Sequence, residues 1–291
     1  MNYLEVFNKN QKVKFTINNT KYIFGSNYEL KHFIIRNISL YFNQSDSEYR
    51  KEENGDSVVC IDDDLIHIKR TLFLHIDKNY SLADETKLGT KSLMLKYIEA
   101  KLNNSDFFDT INTIDILFKS LSDEFSDEDE NMQIVFPTIT NKILTKFIKP
   151  YYVDEYQKDE FDLSLEKIII LQLKLLLTIQ EANLYEDYLI LIEVPYINKK
   201  IIDLIEKLNG KIIVFVEKSS YSIELEKILL IEDEIIDFGD EDNLYALFSE
   251  INGEILSTKE VKDMCSKFLN KRYFNEKISI IDDVKSFLIN N

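Results

Sequence analysis

The stretch that decides the fold of this chain is Lys21-Tyr22-Ile23-Phe24-Gly25-Ser26-Asn27-Tyr28-Glu29-Leu30-Lys31-His32. Its first four residues predict a β-strand, Gly25 ends that strand, and a helix is predicted from about Tyr28. One face of the helix carries an apolar stripe, formed by Leu30, Phe33, Ile34, Ile38 and Tyr41. A strand, a glycine and then a helix is the setting of a phosphate-binding loop, or P-loop.

The spacing within this loop departs from a working phosphate-binding motif at two positions. The motif needs Gly, four residues, a second Gly, Lys, and then Ser or Thr, and only Gly25 and Lys31 fit it. Leu30 replaces the second glycine and adds bulk where the backbone must approach a phosphate. His32 replaces the hydroxyl that would bind Mg²⁺, a cation that prefers oxygen ligands. We therefore expect a degenerate P-loop without bound nucleotide, in which Lys31 is a structural or surface cation.

The C-terminal third has the pattern of a parallel sheet. Residues 188–192 and 212–216 are continuous apolar runs, typical of strands covered on both faces, and 235–238 is a third strand candidate. Helices are predicted between these strands, at 199–208 and 223–229. Alternating strands and helices predict a doubly wound α/β core. Together with the P-loop-like segment, this pattern predicts a core like that of P-loop ATPases.

The N-terminal region predicts a hairpin, and the middle of the chain predicts helices. Residues 12–17 and 21–24 are predicted to pair as a hairpin, because Asn18-Asn19-Thr20 between them is a turn sequence. Residues 81–181 have helical spacing almost throughout. We predict an α/β head domain from 1–80 and 182–291, with 81–181 as an inserted helical subdomain.

Composition and charge narrow the function classes. The net charge is −17, and a uniformly acidic surface repels nucleic acid, so any DNA contact needs a local basic surface. No segment reaches about 18 uninterrupted apolar residues, so no membrane partner is expected. The two cysteines, Cys60 and Cys265, lie far apart in the sequence and are interpreted as free thiols. Free thiols are typical of a reducing cytoplasm. We expect a cytoplasmic protein.

Two groups of lysines are candidates for that basic surface. Lys142, Lys146 and Lys149 recur on one side of a predicted helix at 138–147 and its exit, where they would present three cations to a phosphate backbone. Lys199 and Lys200 open the helix predicted at 199–208. A solvated helix face is the alternative interpretation.

The leading candidate for a metal site is an acidic run, Asp127, Glu128, Asp129 and Glu130. Calcium takes six to eight oxygen ligands, but the run lacks the glycine of an EF-hand loop, and a solvated charge run is the alternative. A weaker candidate is Asp62-Asp63-Asp64. No hydrolase or zinc motif occurs around the three histidines, so no catalytic residues are expected.

Taken together, three segments give the chain a family resemblance. Residues 24–35 resemble the opening of the long form of the Csn family of type II-A CRISPR adaptation proteins, which carry a Gly-x-Asn-x-Glu-Leu-Lys run between a strand and a helix. Residues 143–153 are similar to the family's Leu-Thr-Lys-x-x-x-Pro-Tyr segment, and residues 91–104 resemble its first inserted helix. The similarity spans roughly residues 12–240 and rests on joint order and spacing.

The resemblance implies a P-loop-ATPase-like head with a helical extension and no catalytic activity. It also implies homotetrameric rings that hold double-stranded DNA, often by its ends, in a basic channel, with calcium promoting assembly or DNA binding. The implied partners are the CRISPR integrase complex and the effector nuclease, during spacer acquisition. Short family members carry acidic residues in the segment that matches 133–137, whereas the acids of this chain lie just upstream.

Two other functions are consistent with the residues. One is a weak P-loop-type ATPase of DNA metabolism, which ATP turnover would distinguish. The other is a scaffold that binds only proteins, and a mobility shift that depends on duplex DNA would separate it from a DNA-binding ring.

Overall fold

The computed structural model describes residues 2–43, 57–85, 87, 89, 92–125, 135–153, 160–253 and 256–274. The chain divides into two compact units, one formed by Met1–Lys78 with Tyr185–Asn291 and the other by Asn79–Leu184. The described strands all belong to the first unit, whereas the regular elements described in the second unit are helices.

The elements are numbered in chain order. The strands are β1 (Tyr3–Phe7), β2 (Lys12–Thr16), β3 (Thr20–Phe24), β4 (Val58–Ile61), β5 (Asp64–Leu65), β6 (Thr71–Ile76), β7 (Asp187–Glu193), β8 (Tyr196–Ile197), β9 (Lys211–Phe215), β10 (Lys218–Ser219), β11 (Ile228–Ile231) and β12 (Ile235–Asp237). The α-helices are α1 (Tyr28–Phe42), α2 (Leu82–Glu85), α3 (Leu93–Leu102), α4 (Phe108–Phe125), α5 (Asn141–Leu144), α6 (Leu165–Glu181), α7 (Lys199–Ile205), α8 (Glu241–Asn252) and α9 (Thr258–Arg272).

A mostly parallel sheet of six described strands forms the centre of the first unit. Its order is β12-β11-β3-β9-β7-β6, and only β12, at one edge, is antiparallel to its neighbour. The apolar runs at 188–192 and 212–216 are confirmed as β7 and β9, and both are buried almost throughout. The second unit is inserted in the sequence between β6 and β7, which are neighbours in the sheet.

A smaller antiparallel sheet, with the order β2-β1-β4-β5, belongs to the same core as α1. That core includes Val6 and Phe15 from the small sheet, Ile34 and Ile38 from α1, and Ile213 from the large sheet. Because α1 is packed into a core shared by both sheets, the loop that precedes α1 is fixed against the end of β3.

The predicted hairpin of residues 12–17 and 21–24 is wrong. β2 pairs with β1 in the small sheet, whereas β3 lies between β9 and β11 in the large sheet. All five residues of β3 are buried, but β2 begins with alternating exposed and buried residues. A strand buried on both faces needs packing layers on both sides of its sheet. β3 therefore belongs in the large sheet rather than in a hairpin.

Two predicted helices also differ from the structure. The segment predicted as a helix at 223–229 forms a 3₁₀ turn, Leu225–Lys227, followed by the buried strand β11. A short apolar run fits a buried strand as well as a helix, so periodicity alone does not separate the two. The helix predicted at 138–147 is shortened to α5, which Thr140 caps.

The second unit combines a packed helix pair with an exposed helix. α3 packs against α6, and both bury apolar residues such as Ile98 and Leu173. α4 contains no buried residue, and Ile116 and Leu117 on it are 64% and 60% exposed. Across the described ranges, no helix has the length and apolar character needed to cross a bilayer.

Candidate functional site

The loop after β3 lies at the carboxyl edge of the large sheet, where open α/β sheets bind their ligands. Because β3, β9 and β11 run parallel, the residues that follow them meet at the same edge. Gly25 follows β3, Glu217 stands just after β9, and Glu232 follows β11. Two strand-end carboxylates are therefore placed at the edge that carries the P-loop-like segment.

Gly25 lets the backbone of this loop contact β11. Its φ is +108°, in the region that favours glycine, and a Cβ there would lie 2.0 Å from the carbonyl oxygen of Ile231. The Asn27 N–H donates to that carbonyl at 3.2 Å, and its side-chain amide donates to the carbonyl of Glu232 at 2.9 Å. The Asn27 side-chain oxygen accepts the N–H of Leu30 at 3.0 Å and caps α1.

The side-chain carboxylate of Glu232 is bound by the loop that precedes α1. Oε2 accepts the Ser26 N–H at 3.1 Å and also the Ser26 hydroxyl. Oε1 accepts the Tyr273 hydroxyl at 2.7 Å and lies 3.4 Å from an Arg272 guanidinium nitrogen. The hydrogen bonds from Ser26 and then from Tyr273 hold the pKa of Glu232 below its ordinary value. The anion at this loop is thus a side chain of the protein itself.

Tyr273, which follows α9, is positioned for this contact by its own surroundings. Its ring lies 5.2 Å from the ring of Phe24, the last residue of β3, and its carbonyl accepts the Ser219 N–H at 2.9 Å. Burial and the hydrogen bond to Glu232 raise the pKa of Tyr273 above its ordinary value. The end of α9 is therefore attached to the same sheet edge that carries the loop.

Lys31, predicted to match the lysine of the motif, is 7% exposed in the first turns of α1. Its Nζ lies 5.9 Å from the ring centroid of Tyr28 and forms no hydrogen bond or salt bridge with a described residue. Burial lowers the pKa of Lys31, whereas the carboxylates of Glu217 and Glu232 favour its charged form. Lys31 is therefore a nearly buried cation whose hydrogen-bonding capacity is unused by the described chain.

Leu30 and His32, the residues at the two replaced motif positions, lie in different environments. Leu30 is 8% exposed and belongs to the core cluster with Ile34 and Ile38. The position where a phosphate loop needs glycine is therefore used for core packing. His32 is exposed on α1. Elsewhere on this edge, Glu193 at the end of β7 pairs with His75 of β6 at 2.6 Å.

The first predicted lysine group lies in the second unit. Lys142 is on α5, while Lys146 and Lys149 follow the end of that short helix. All three are exposed, and none of their side chains pairs with a carboxylate in the described part of the chain. They form a run of solvent-facing cations along one short segment.

The second predicted lysine group lies in the first unit. Lys199 and Lys200 are the first two residues of α7 and are both exposed, after the cap residue Asn198. The Nζ of Lys199 lies 5.6 Å from the ring centroid of Tyr221. Positive charge at a helix N-terminus is unfavourable with respect to the helix dipole, so these lysines do not stabilise α7 electrostatically.

The predicted calcium ligands Asp127, Glu128, Asp129 and Glu130 lie outside the described residues. In the weaker candidate, Asp62 and Asp63 form the tight turn between β4 and β5, with φ of 51° and 68°, and Asp64 is the first residue of β5. Among the residues that the structure describes, no group of three or more His, Cys, Asp or Glu side chains is arranged to hold a metal ion.

The sequence did not predict two residues at this site, Glu232, which contacts Ser26, and Tyr273, which contacts Glu232. A signal for Glu232 exists: had residues 228–231 been recognised as a strand, Glu232 would have joined Glu193 and Glu217 as an acid at a strand end. No comparable signal marks Tyr273, because its contact with Glu232 joins residues 41 positions apart through tertiary packing.

Comparison with known proteins identifies the fold but not a family. No protein-family model matches the sequence, and no curated protein matches it. The fold is shared with solved structures, among them the crystal structure of Stu0660 of Streptococcus thermophilus. The similarity has a TM-score of 0.62 and covers 86% of this chain and 80% of that chain, at 16% identity. At this identity the likeness shows the fold alone, a mixed α/β architecture with a mostly parallel six-stranded sheet.

Proposed function

We propose that this protein is a non-catalytic, ring-forming binder of double-stranded DNA that acts in CRISPR spacer acquisition and hence in antiviral defence. The proposal rests on the resemblance of three sequence segments to the long form of the Csn family. It is supported by the arrangement of β3, Gly25 and α1 at the carboxyl edge of a parallel sheet, as expected of a P-loop-ATPase-like core. In this proposal residues 1–80 and 182–291 form the head, and residues 81–181 form the helical insertion.

The observation that carries DNA binding is the state of Lys142, Lys146 and Lys149. Several lysines of this chain have carboxylate partners, including Lys12, Lys96 and Lys227. These three are exposed and have none among the described residues, although the net charge of the chain is −17. Cations left unneutralised on so acidic a protein are available to displace counterions from a phosphate backbone. We assign them to the DNA channel.

Lys199 and Lys200 are a second contribution to DNA binding in this proposal. Because they stand at the N-terminus of α7, where the helix dipole disfavours positive charge, an external phosphate would relieve an unfavourable arrangement. Their contribution is sequence-independent, since phosphate contacts position a duplex without reading its bases.

Self-assembly is supported by the exposed apolar face of α4. Leu117, Leu121 and Phe125, spaced four residues apart along one side of the helix, are 60%, 38% and 57% exposed, on a helix without a buried residue. Exposed apolar patches of this kind mark surfaces that bind a partner. We propose that α4 takes part in the contacts between copies of a homotetramer. The CRISPR integrase complex and the effector nuclease remain the proposed heterologous partners.

Calcium is the proposed cofactor for assembly. Bringing several copies of a chain with a net charge of −17 together is electrostatically costly. Calcium accepts irregular shells of oxygen ligands more readily than magnesium does. Asp127, Glu128, Asp129 and Glu130 are the proposed ligands, so assembly should respond to calcium more strongly than to magnesium.

A weak P-loop-type ATPase of DNA metabolism is the alternative. The observation that favours it is the nearly buried Lys31, which forms no salt bridge with a residue that the structure describes. Leu30 in the core and Glu232 at the loop oppose it. Binding at a hundredfold excess over the dissociation constant would stabilise the fold by about 2.7 kcal/mol. A rise in melting temperature with Mg-ATP, absent with Mg²⁺ alone and accompanied by ATP turnover, would establish the alternative.

The main experiment is native mass spectrometry combined with a mobility-shift assay on linear duplexes of unrelated sequence. We expect a tetramer that is more populated in calcium than in magnesium or chelator. We also expect equal retardation of all the linear duplexes, and weaker binding of closed circular DNA because it offers no end. A protein that leaves duplex DNA unshifted under every calcium and salt condition is not a DNA-binding ring.

A further inference from the structure

We propose that the first unit carries a binding surface for single-stranded nucleic acid, on which unpaired bases stack against Tyr196 and Tyr221 while the phosphates between them contact Lys199 and Lys218. These four residues, which we call the tyrosine–lysine surface, lie on two short segments just beyond the carboxyl ends of β7 and β9. The inference goes beyond the proposed function. It shares Lys199 with the proposed duplex contacts, but it depends on two exposed rings that duplex binding does not use.

The pairing of β8 with β10 brings the two segments of the tyrosine–lysine surface together. These strands are parallel, and Tyr196 lies opposite Lys218. Three residues further along both segments, the Nζ of Lys199 lies 5.6 Å from the ring centroid of Tyr221. Each end of the surface therefore combines one tyrosine with one lysine.

Both rings of the surface are accessible to a planar ligand. Tyr196 is 40% exposed, and Tyr221 is 47% exposed beside its contact with Lys199. The Cα atoms of Lys218 and Tyr221, three residues apart, are separated by at most about 11 Å. Because stacked bases of one strand repeat every ~3.4 Å, the surface has room for about three nucleotides.

The backbone that presents Tyr221 is held from two directions. The Ser219 hydroxyl donates to the Tyr221 carbonyl at 2.7 Å and accepts the Tyr221 N–H at 3.1 Å. The Ser219 N–H donates to the carbonyl of Tyr273 at 2.9 Å. The Ser222 hydroxyl donates to the side chain of Asn270, on α9, at 3.3 Å. The ring is therefore placed on a fixed support, which lowers the entropic cost of binding a base.

The charge of the two segments is complementary to phosphate. Residues 195–200 and 217–221 contain three lysines and one acidic residue, Glu217, in a chain whose net charge is −17. Lys199 and Lys218 are exposed and form no salt bridge with a residue that the structure describes. Cations together with stacking rings are the arrangement by which proteins bind single strands without reading their sequence. An acidic peptide would use the lysines but would leave both rings without a stacking partner.

The test makes use of the absence of tryptophan from this chain. Tyr221→Trp keeps an aromatic ring on the surface and introduces a fluorophore whose emission reports on stacking. Tyr28→Trp is the matched control, since Tyr28 is an exposed tyrosine of the first unit, on α1. The probes are a short oligothymidine and an abasic oligonucleotide of equal length and charge. A parallel titration with oligouridine identifies whether DNA or RNA binds more tightly.

We expect oligothymidine to quench the fluorescence of Tyr221→Trp and to leave that of Tyr28→Trp unchanged. The abasic oligonucleotide should bind at least about fivefold more weakly, the factor that corresponds to the loss of one stacked base. Equal affinity for the two oligonucleotides would mean that the surface binds phosphates alone, and the proposal would be rejected. Equal quenching in both variants would show that the strand is not bound at Tyr221.

Removal of both rings is a second test, measured by the anisotropy of labelled oligothymidine. Tyr196→Ala with Tyr221→Ala should bind at least about fivefold more weakly than the unmodified protein, whereas Tyr196→Phe with Tyr221→Phe keeps the rings and should bind normally. Circular dichroism confirms folding, and if the alanine variant does not fold, the tryptophan measurement decides.

Blunt linear duplex is titrated against the same variants, and its binding should not change. This arm separates failure of the present inference from failure of the proposed function. Undiminished binding of oligothymidine by the folded alanine variant would overturn the inference. So would the absence of oligothymidine binding by the unmodified protein at low salt, or equal competition by an oligoglutamate of matched charge, which would assign the surface to acidic proteins.

Discussion

Ser26 and Glu232, 206 residues apart in the sequence, are joined by two hydrogen bonds at the start of α1. The contact exists because β3 and β11 are adjacent parallel strands, so that the residues following them meet at one edge. It places a carboxylate of the chain against the N–H and the hydroxyl of Ser26, in the loop between β3 and α1.

Replacement of Gly25 by alanine should destabilise the first unit. The φ of +108° is strained for any residue with a Cβ, and the added atom would lie 2.0 Å from the Ile231 carbonyl oxygen. Strain of this kind costs on the order of 1–3 kcal/mol, and the clash adds to it because backbone must move. Urea denaturation measures the change. Gly89→Ala is the control, since a Cβ there meets nothing within 4 Å, and an equal loss in both variants would contradict the prediction.

Removal of the Asp237 carboxylate should be among the most destabilising single changes in the first unit. Lys21 is 1% exposed and is bound by Asp237, by the Thr16 hydroxyl at 2.8 Å and by the Glu226 carbonyl at 3.0 Å. Asp237→Ala leaves this ammonium group buried without its counter-charge. Loss of one partner of a buried pair costs about 3–5 kcal/mol. The free energy of unfolding is measured in urea.

Two variants control the Asp237 experiment. Glu186→Ala breaks the exposed pair of Arg70 and Glu186, which should cost about 1 kcal/mol or less. Lys21→Met combined with Asp237→Leu replaces the buried pair by apolar side chains and should recover most of the stability. If Asp237→Ala is no more harmful than Glu186→Ala, the pair of Lys21 and Asp237 does not contribute as described.

Acid should destabilise the small sheet partly through Glu5. Its side chain is 5% exposed and lies 2.6 Å from Lys12 Nζ and 2.8 Å from Lys14 Nζ. The hydrogen bonds from Lys12 and then Lys14 hold the pKa of Glu5 below its ordinary value of 4.5. A depressed carboxyl pKa contributes stability that is present above the unfolded-state value and is lost as pH falls through the folded-state value. The window of loss therefore lies below about pH 4.5.

The test is the slope of unfolding free energy against pH for Glu5→Gln. Because a glutamine does not titrate, this variant should show a shallower slope below about pH 4.5 than the unmodified protein. Glu250→Gln, at an exposed position of α8, is the control and should leave the slope nearly unchanged. Identical slopes in all three proteins would mean that Glu5 is not linked to acid unfolding.

Reversal of charge at Lys142, Lys146 and Lys149 should abolish binding to linear duplex DNA while the fold and the oligomer persist. All three are exposed and unpaired among the described residues, so their replacement by glutamate breaks no described contact. If partial binding survives, its salt dependence should flatten, because each lost phosphate contact removes a slope of about 0.9. Fluorescence anisotropy over a salt series measures both quantities.

A control triple variant carries the same change in net charge. Lys207, Lys259 and Lys267 are exposed lysines of the first unit, and their replacement by glutamate should weaken binding much less. Similar loss in both triple variants would attribute the effect to overall charge. Normal binding by the Lys142, Lys146 and Lys149 variant would place those residues outside the channel.

The sequence by itself determined the elements whose character depends on local pattern. The apolar runs at 188–192 and 212–216 were recognisable as buried strands, because a strand covered on both faces is apolar at every position. The transition from β3 through Gly25 to α1 was also recognisable, because a glycine and a helical stripe mark it. The spacing of apolar residues in a segment indicates which of its faces are buried, and this spacing can be read from the segment alone.

Only the tertiary structure decided which segments meet. The partners of β3 are β9 and β11 rather than β2, and the strand-end acid that reaches Ser26 is Glu232, held by Tyr273 from the end of α9. Strand order and side-chain contacts over such separations depend on how all the layers pack together, and no local pattern encodes them. A buried apolar strand would be equally well buried beside any similar strand. The choice of neighbour, and with it the contact between Glu232 and the loop, therefore depends on the packing of the whole core.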